Sequence, residues 1–423
     1  MRTSRRRVFV LRAAVGGFAL VVLGLAEPAS AGTACSFDQP SATATVTMGS
    51  DETATLVRNG NAIELDGSQC GTATVKNTDT IAVSGTGPSD VLVIDLSGGP
   101  FAPGKTDESG GGDPEIEFDV DLGSGTPAGS LEVVGSADAD TIVLGANGIN
   151  LNADEAVGDV DVTTTNTFTF KVDAGSGDDV VSGEGGAGTG GRFEFGVTIL
   201  GRTGNDRLSG SAGTDTLDGG RGKDTVDYSA EGAIAVSGLP GGSVTTQDGA
   251  DTLASIENVI GSPQDDIIIG SGVVNELRGN AGDDTIAGLG GADELYGGPG
   301  RDTVDFIATE RGVIVDLKEG TATGEGADTI EGFEIVSGSN FGDVLNGSGG
   351  DDTLIGRGGN DVINGLDGAD WASSGKGNDS IFGGKGPDEL YGGPGNDLLD
   401  GGAGTNDRCR GNQGADSLVH CEL

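Results

Sequence analysis

The chain has 423 residues, 83 of them Gly, with only 13 Phe, 3 Tyr and 1 Trp. Ordinary domains carry about 7% Gly, and so little bulky apolar material argues against a thick-cored enzyme barrel or a helix bundle. A net charge of −44 excludes nucleic acid as a partner and favours cations, and a single histidine, His420, removes most imidazole chemistry.

Residues 1–31 read as a signal peptide. Arg2, Arg5, Arg6, Arg7 and Arg12 precede an apolar stretch from Ala13 to Ala26, and Ala29-Ser30-Ala31 supplies the small-residue cleavage site. The apolar run is short for a membrane span, so no transmembrane segment is expected after cleavage. Ser4-Arg5-Arg6-Arg7-Val8-Phe9 resembles a twin-arginine signal, which leaves the export route open. The four cysteines fit two disulfides in an oxidising compartment. Cys35 with Cys70 and Cys409 with Cys421 are the pairings nearest in sequence, out of three that are possible.

Residues 32–182 show short alternating runs such as Thr43-Ala44-Thr45-Val46-Thr47 and Glu117-Phe118-Asp119-Val120-Asp121-Leu122, with no helical spacing. Degenerate nonapeptides place Asp90, Asp140 and Asp179 in turns, so this region is expected to be an irregular β-solenoid, a separate β-sandwich being the competitor. A glycine-rich boundary spans 183–200. From Gly201 a nine-residue period takes over in three blocks, with copies such as GRTGNDRLS, GNAGDDTIA, GGKGPDELY and GGPGNDLLD. Position six is Asp in every strict copy but the one holding Asn275, and position eight is always apolar, from Leu208 and Leu217 to Leu390 and Leu399. Gln264, Val273 and Phe341 replace the glycine expected at position four. The linkers around Gly249-Ala250-Asp251-Thr252-Leu253 and Gly326-Ala327-Asp328-Thr329-Ile330 resemble each other and are expected to continue the stack as β insertions.

Each nonapeptide divides into a glycine-rich turn and a short strand with one inward residue, too little apolar surface to stand alone, so neighbours must stack into a solenoid. Two turns per coil put residues eighteen apart on one edge. The aspartates then form columns about 5 Å apart, and each adjacent pair repels by roughly 3 kcal/mol at an effective dielectric near 20. Such an edge needs a cation. Hard carboxylate and carbonyl oxygens favour calcium over zinc or copper.

These repeats resemble the GGxGxDxUx signature of RTX, or haemolysin-type, calcium-binding proteins, across about 201–419. The resemblance implies an all-β, right-handed parallel β-roll over 201–423 that binds several calcium ions between successive turns. The ligands it implies, with turn carbonyls, are Asp179, Asp206, Asp215, Asp224, Asp266, Asp284, Asp293, Asp302, Asp343, Asp352, Asp361, Asp370, Asp379, Asp388, Asp397, Asp407 and Asp416. The site that Asn275 shares with Asp293 departs from the pattern. Cys409–Cys421 is expected to tie the C-terminal cap, with His420 a solvated cap residue.

The function expected is that of a secreted calcium-binding protein, folded by the ion into a rigid acidic rod with structural or adhesive work, and with a cell-surface or matrix polysaccharide as a further partner. The alternative is a lyase- or epimerase-like polysaccharide enzyme carrying the repeats. HExxH and GxSxG are absent, so that chemistry would fall to calcium and a base among Arg58, Lys76, Lys105 and Lys171.

Overall fold

A computed structural model describes residues 32–102, 104, 115–123, 129–151, 160–324 and 326–422; the leader expected over 1–31 and Lys105 lie outside the described residues. From Gly32 onward the chain folds as one unit. It is all-β, with no helix among the described residues, and consists of two facing sheets built mostly of parallel strands. The fold is a β-roll.

In the repeat region the chain crosses from one sheet to the other every half-coil. Positions seven to nine of each nonapeptide form a three-residue or slightly longer strand, as in Val344–Asn346, Thr353–Ile355 and Val362–Asp367. On one sheet Leu345 pairs with Ile363, Ile363 with Ile381 and Ile381 with Leu399. On the other, Leu354 pairs with Ala372, Ala372 with Leu390 and Leu390 with Cys409. Because side chains alternate along a strand, position eight points inward while seven and nine face out. The core is therefore a single file of apolar residues between the sheets, buried from Leu208 to Leu399.

The N-terminal region uses the same two sheets with wider coils. Ala44 pairs with Ile81 and Ile81 with Phe118 on one sheet, while Leu92 pairs with Leu131 and Leu131 with Phe170 on the other. Five-residue strands here present two inward side chains each, for example Leu92 with Ile94 and Phe118 with Val120. The core is correspondingly thicker and admits aromatics, with Phe101 set edge-on against Phe118 at 5.1 Å. Parallel pairing continues from Phe170–Asp173 onto Val197–Leu200 without a break in the sheet.

Both linkers are antiparallel insertions within the stack. Ala235–Ser237, Gly242–Thr245 and Ala250–Ala254 form a meander in one sheet, whereas Ile314–Asp316, Thr321–Thr323 and Ala327–Glu331 form the equivalent meander in the other. The duplicated unit spans an odd number of half-coils, which places its second copy on the opposite face. The two disulfides are Cys35–Cys70 and Cys409–Cys421. The second ties the last coil, where the Glu422 carboxylate accepts from the Asp407 backbone N–H and the Glu422 N–H returns a 2.7 Å bond to the Asp407 carbonyl. His420 is exposed and meets Asp400 through Nδ1 at 2.8 Å.

Since each coil buries so little, one truncation at position eight should be felt in full. Ile363→Ala is expected to destabilise the roll by about 2–5 kcal/mol, measured as a lower urea midpoint in saturating calcium with an unchanged slope.

Candidate metal centre

The turn geometry begins with position-one glycine. In the turn that opens at Gly356, the Asp361 carboxylate folds back over the glycine, and a Cβ there would lie 2.4 Å from Asp361 Oδ2. Coils also approach closely at position four, where a Cβ on Gly377 would lie 1.5 Å from the Gly359 carbonyl oxygen. A side chain at Gly356 or Gly377 would collide with these atoms, and the result is a column of carboxylates beside columns of turn carbonyls.

Within a column each aspartate reaches one coil upstream. Asp224 Oδ1 accepts the Asp206 N–H at 2.9 Å, Asp284 accepts from Asp266 and Asp302 from Asp284, both at 2.8 Å. Asp361, Asp379 and Asp397 accept in series from Asp343, Asp361 and Asp379. On the opposite edge Asp370, Asp388 and Asp407 accept from Asp352, Asp370 and Asp388. Asp179 and Asp206 accept from Asp140 and Asp179, Asp293 from Asn275, and Asp416 from Asp397. Asp215, Asp266 and Asp343 take the N–H groups of Val197, Ile234 and Val313. Asp352 instead takes its bonds from Ser348. These hydrogen bonds hold the carboxylates in register despite their mutual repulsion.

The second oxygen separates the aspartates into groups. In eleven of them, Asp179, Asp206, Asp224, Asp284, Asp293, Asp302, Asp361, Asp370, Asp379, Asp388 and Asp397, Oδ2 is buried and has no hydrogen-bond partner. Those residues are themselves 0–2% exposed. Asp215, Asp266, Asp343 and Asp352 are different, because the serine at position two of each turn satisfies that oxygen. Asp407 and Asp416, in the last two turns, fall in neither group.

Burial without a counterion raises seven of the orphaned carboxyls strongly. Desolvation, reinforced by the Asp343 and Asp379 carboxylates, pushes Asp361 up to about 7. Asp370 and Asp284 are pushed to about 7 by the same causes, and Asp179, Asp224, Asp293 and Asp302 to about 6. Acidic oxygens that are dry, unpaired and aligned with carbonyls fit a hard divalent ion. Among the described residues no three His, Cys, Asp or Glu side chains converge on one point. Carboxylates of one column sit on successive coils, so backbone carbonyls must complete any coordination shell.

Four column members escaped the sequence reading. Asp251 accepts the Asp215 N–H at 2.9 Å and Asp328 the Asp293 N–H at 3.0 Å, while Glu257 and Glu334 accept from Asp224 and Asp302 at 3.0 Å. Their signal was present. Gly249, Asp251 and Leu253 occupy positions four, six and eight of a nonapeptide, and Glu257 with Val259 repeats the six-and-eight spacing. Asn275 holds its column through a neutral amide, donating from Nδ2 to the Glu257 carbonyl at 2.6 Å. Of the candidate bases, Arg58 and Lys171 do not come together. Arg58 is bound by the carbonyls of Gly60, Pro100 and Ala102, and Lys171, on a strand three places along the sheet, pairs with Glu132.

Comparison with known families agrees with this geometry. The RTX calcium-binding nonapeptide repeat matches residues 171–189, 198–227, 269–304, 337–372 and 373–407, so the match reaches back to include Asp179. Such repeats bind calcium ions, several per repeat region. No curated protein matches the chain.

The raised carboxyls fix the sign of the pH dependence without metal. Each holds its proton more tightly when folded than at its ordinary value near 3.8, so between about pH 4 and 7 the folded state binds more protons than the unfolded one. Their contribution is present at low pH and lost as pH rises through 6 to 7. In chelator the urea midpoint should therefore be higher at pH 5 than at pH 8, whereas the gain on adding calcium should be larger at pH 8, where the ligands are ionised.

Proposed function

We propose, from the premise that this is an RTX-type calcium-binding repeat chain, that it is a secreted protein whose repeats are folded by calcium into a rigid acidic rod with a structural or adhesive role. The observation that carries this reading is the set of eleven buried carboxylate oxygens without partners. A buried polar group left unsatisfied costs about 1–3 kcal/mol, more when charged, and eleven together rival a domain's whole stability of about 5–15 kcal/mol. Asp179, Asp206, Asp224, Asp284, Asp293, Asp302, Asp361, Asp370, Asp379, Asp388 and Asp397 would hold the ions with turn carbonyls, and bound calcium supplies the positive charge that these oxygens lack.

Secretion is supported by the leader pattern of 1–31 and by two disulfides, which persist in oxidising compartments. Extracellular calcium modules bind at roughly 10⁻⁴ to 10⁻³ M, so the chain would stay loose inside the cell and set outside it. A polysaccharide at a cell surface or in a matrix is the partner that suits a rod of this kind. The lyase-like alternative is disfavoured because Arg58 and Lys171 are engaged in structural contacts and lie strands apart.

Circular dichroism and thermal melting of the chain from Gly32 onward, first in chelator and then in millimolar calcium, provide the test. A gain of β signal and a rise in melting temperature on adding calcium are expected. An identical spectrum and melt in both conditions would overturn the calcium-folded rod.

A further inference from the structure

The turns that keep their carboxylate to themselves are not scattered at random. Ser211 donates from N and Oγ to Asp215 at 2.6 and 2.8 Å, Ser262 to Asp266 at 2.6 and 2.8 Å, and Ser339 to Asp343 at 2.7 Å from each. Ser348 donates to Asp352 at 2.6 and 3.1 Å, and Ser136 to Asp140 at 2.6 and 3.2 Å. Ser271 does the same to Asn275 at 2.8 and 3.0 Å. In every one of these turns the serine occupies position two. Its hydroxyl also accepts the position-four N–H, from Gln264, Val273, Phe341 and Gly350 among others. With that bond in place, the turns of Ser262, Ser271 and Ser339 carry Gln264, Val273 and Phe341 at position four instead of glycine.

Turns with an orphaned oxygen are built differently. Position two there is left-handed, as in Arg202, Leu289, Arg357 and Leu366 at φ 75°, 66°, 74° and 80°, or is a glycine with positive φ such as Gly384. A left-handed residue turns its N–H away from the carboxylate, and no side chain replaces it.

Position in the stack separates the two kinds. Asp140, Asp215, Asp266 and Asp343 each open a run of turns, because what lies one coil upstream on their edge is an irregular segment or a hairpin rather than a nonapeptide. Asn275 and Asp352 follow Glu257 and Glu334, where a linker rejoins the stack. Each of the eleven orphaned aspartates, by contrast, has a nonapeptide turn directly upstream on its own edge. An ion held between two successive turns has only half its ligands where the upstream turn is missing.

We propose that the position-two serine is a substitute for calcium, marking the turns at which a run starts and whose own carboxylate takes no ion. The inference rests on the calcium reading above and assigns the ions to the orphaned turns alone. Asn275 supports it independently. The one strict repeat in which the position-six charge is replaced by a neutral amide is a serine turn, and there the amide oxygen still takes both serine bonds. With the serine in place no metal has to be balanced, so the negative charge is dispensable.

Calcium stoichiometry by calorimetry on the chain from Gly32 onward tests this. Asp343→Asn and Asp266→Asn should bind as many ions as the unaltered protein, whereas Asp361→Asn and Asp284→Asn should each bind at least one fewer. Ser339→Ala should lower the urea midpoint in chelator, and the deficit should persist in saturating calcium. Loss of an ion from Asp343→Asn or Asp266→Asn, or an unchanged count in Asp361→Asn and Asp284→Asn, would overturn the assignment while leaving calcium binding intact. If the unaltered protein takes up no calcium, the calcium reading itself fails. A crystal structure of the unaltered protein with calcium decides the same question without any variant: an ion on the carboxylate of Asp215, Asp266, Asp343 or Asp352 would refute the proposal, and ions confined to the orphaned turns would bear it out.

Discussion

The structure depends on a carboxylate that is half satisfied. Inside a run, each aspartate accepts the backbone N–H of the turn one coil upstream, as Asp379 does from Asp361 at 2.9 Å, and so locks adjacent coils into register. The same bond draws like charges together in a dry place, with the other oxygen unpaired. A hydrogen bond to a charged acceptor contributes about 1.5–3 kcal/mol, yet close-set carboxylates repel by a similar amount. Register and repulsion thus come from one side chain, and above the range where these carboxyls hold their protons a cation between the coils keeps the first while removing the second.

The duplication of the linker shows how tolerant this arrangement is. One antiparallel meander sits in one sheet and its copy sits in the other, since the spacing covers an odd number of half-coils. Insertion on either face leaves the opposite edge running: Asp224 hands on to Glu257 past the first meander, and Asp302 to Glu334 past the second. A roll made of equivalent half-turns has no preferred face for an insertion. What it needs is a carboxylate at each rejoining point, supplied by Glu257 and Glu334 on one edge and by Asp251 and Asp328 on the other.

Much of this was legible in the sequence because position eight and position six obey strict rules. Leu208 through Leu399 read as inward and are buried, and the eighteen-residue columns follow from two turns per coil. The sequence-nearest disulfides are those formed. Other parts were hidden for physical reasons. Coils around Leu92 and Leu131 are held by paired inward residues rather than by a turn motif, so their length varies and leaves no short period. Asp251 and Asp328 were obscured because Thr246 and Thr323 stand at position one of their turns in place of the glycine that announces the motif. Serine at position two looked like any turn residue; only the distance to its own aspartate distinguishes Ser339 from a generic polar filler.

Two solutions to one electrostatic problem therefore coexist along a single chain. Serine supplies two neutral donors, enough to satisfy a carboxylate locally but with no reach to the next coil. A divalent ion supplies charge and binds oxygens from both coils at once, at the expense of needing both to be present. The first solution suits an isolated turn and the second a repeated one, which is why each run of turns opens with serine and continues with left-handed residues that leave the oxygen bare. Stiffness should then be unevenly distributed, because coils joined through an ion gain a cross-link that serine turns lack. The places where a run restarts, near Ser262 and Ser339, adjoin the meanders. Metal-independent turns are thereby concentrated where the stack is least regular, and there each carboxylate is satisfied within its own turn.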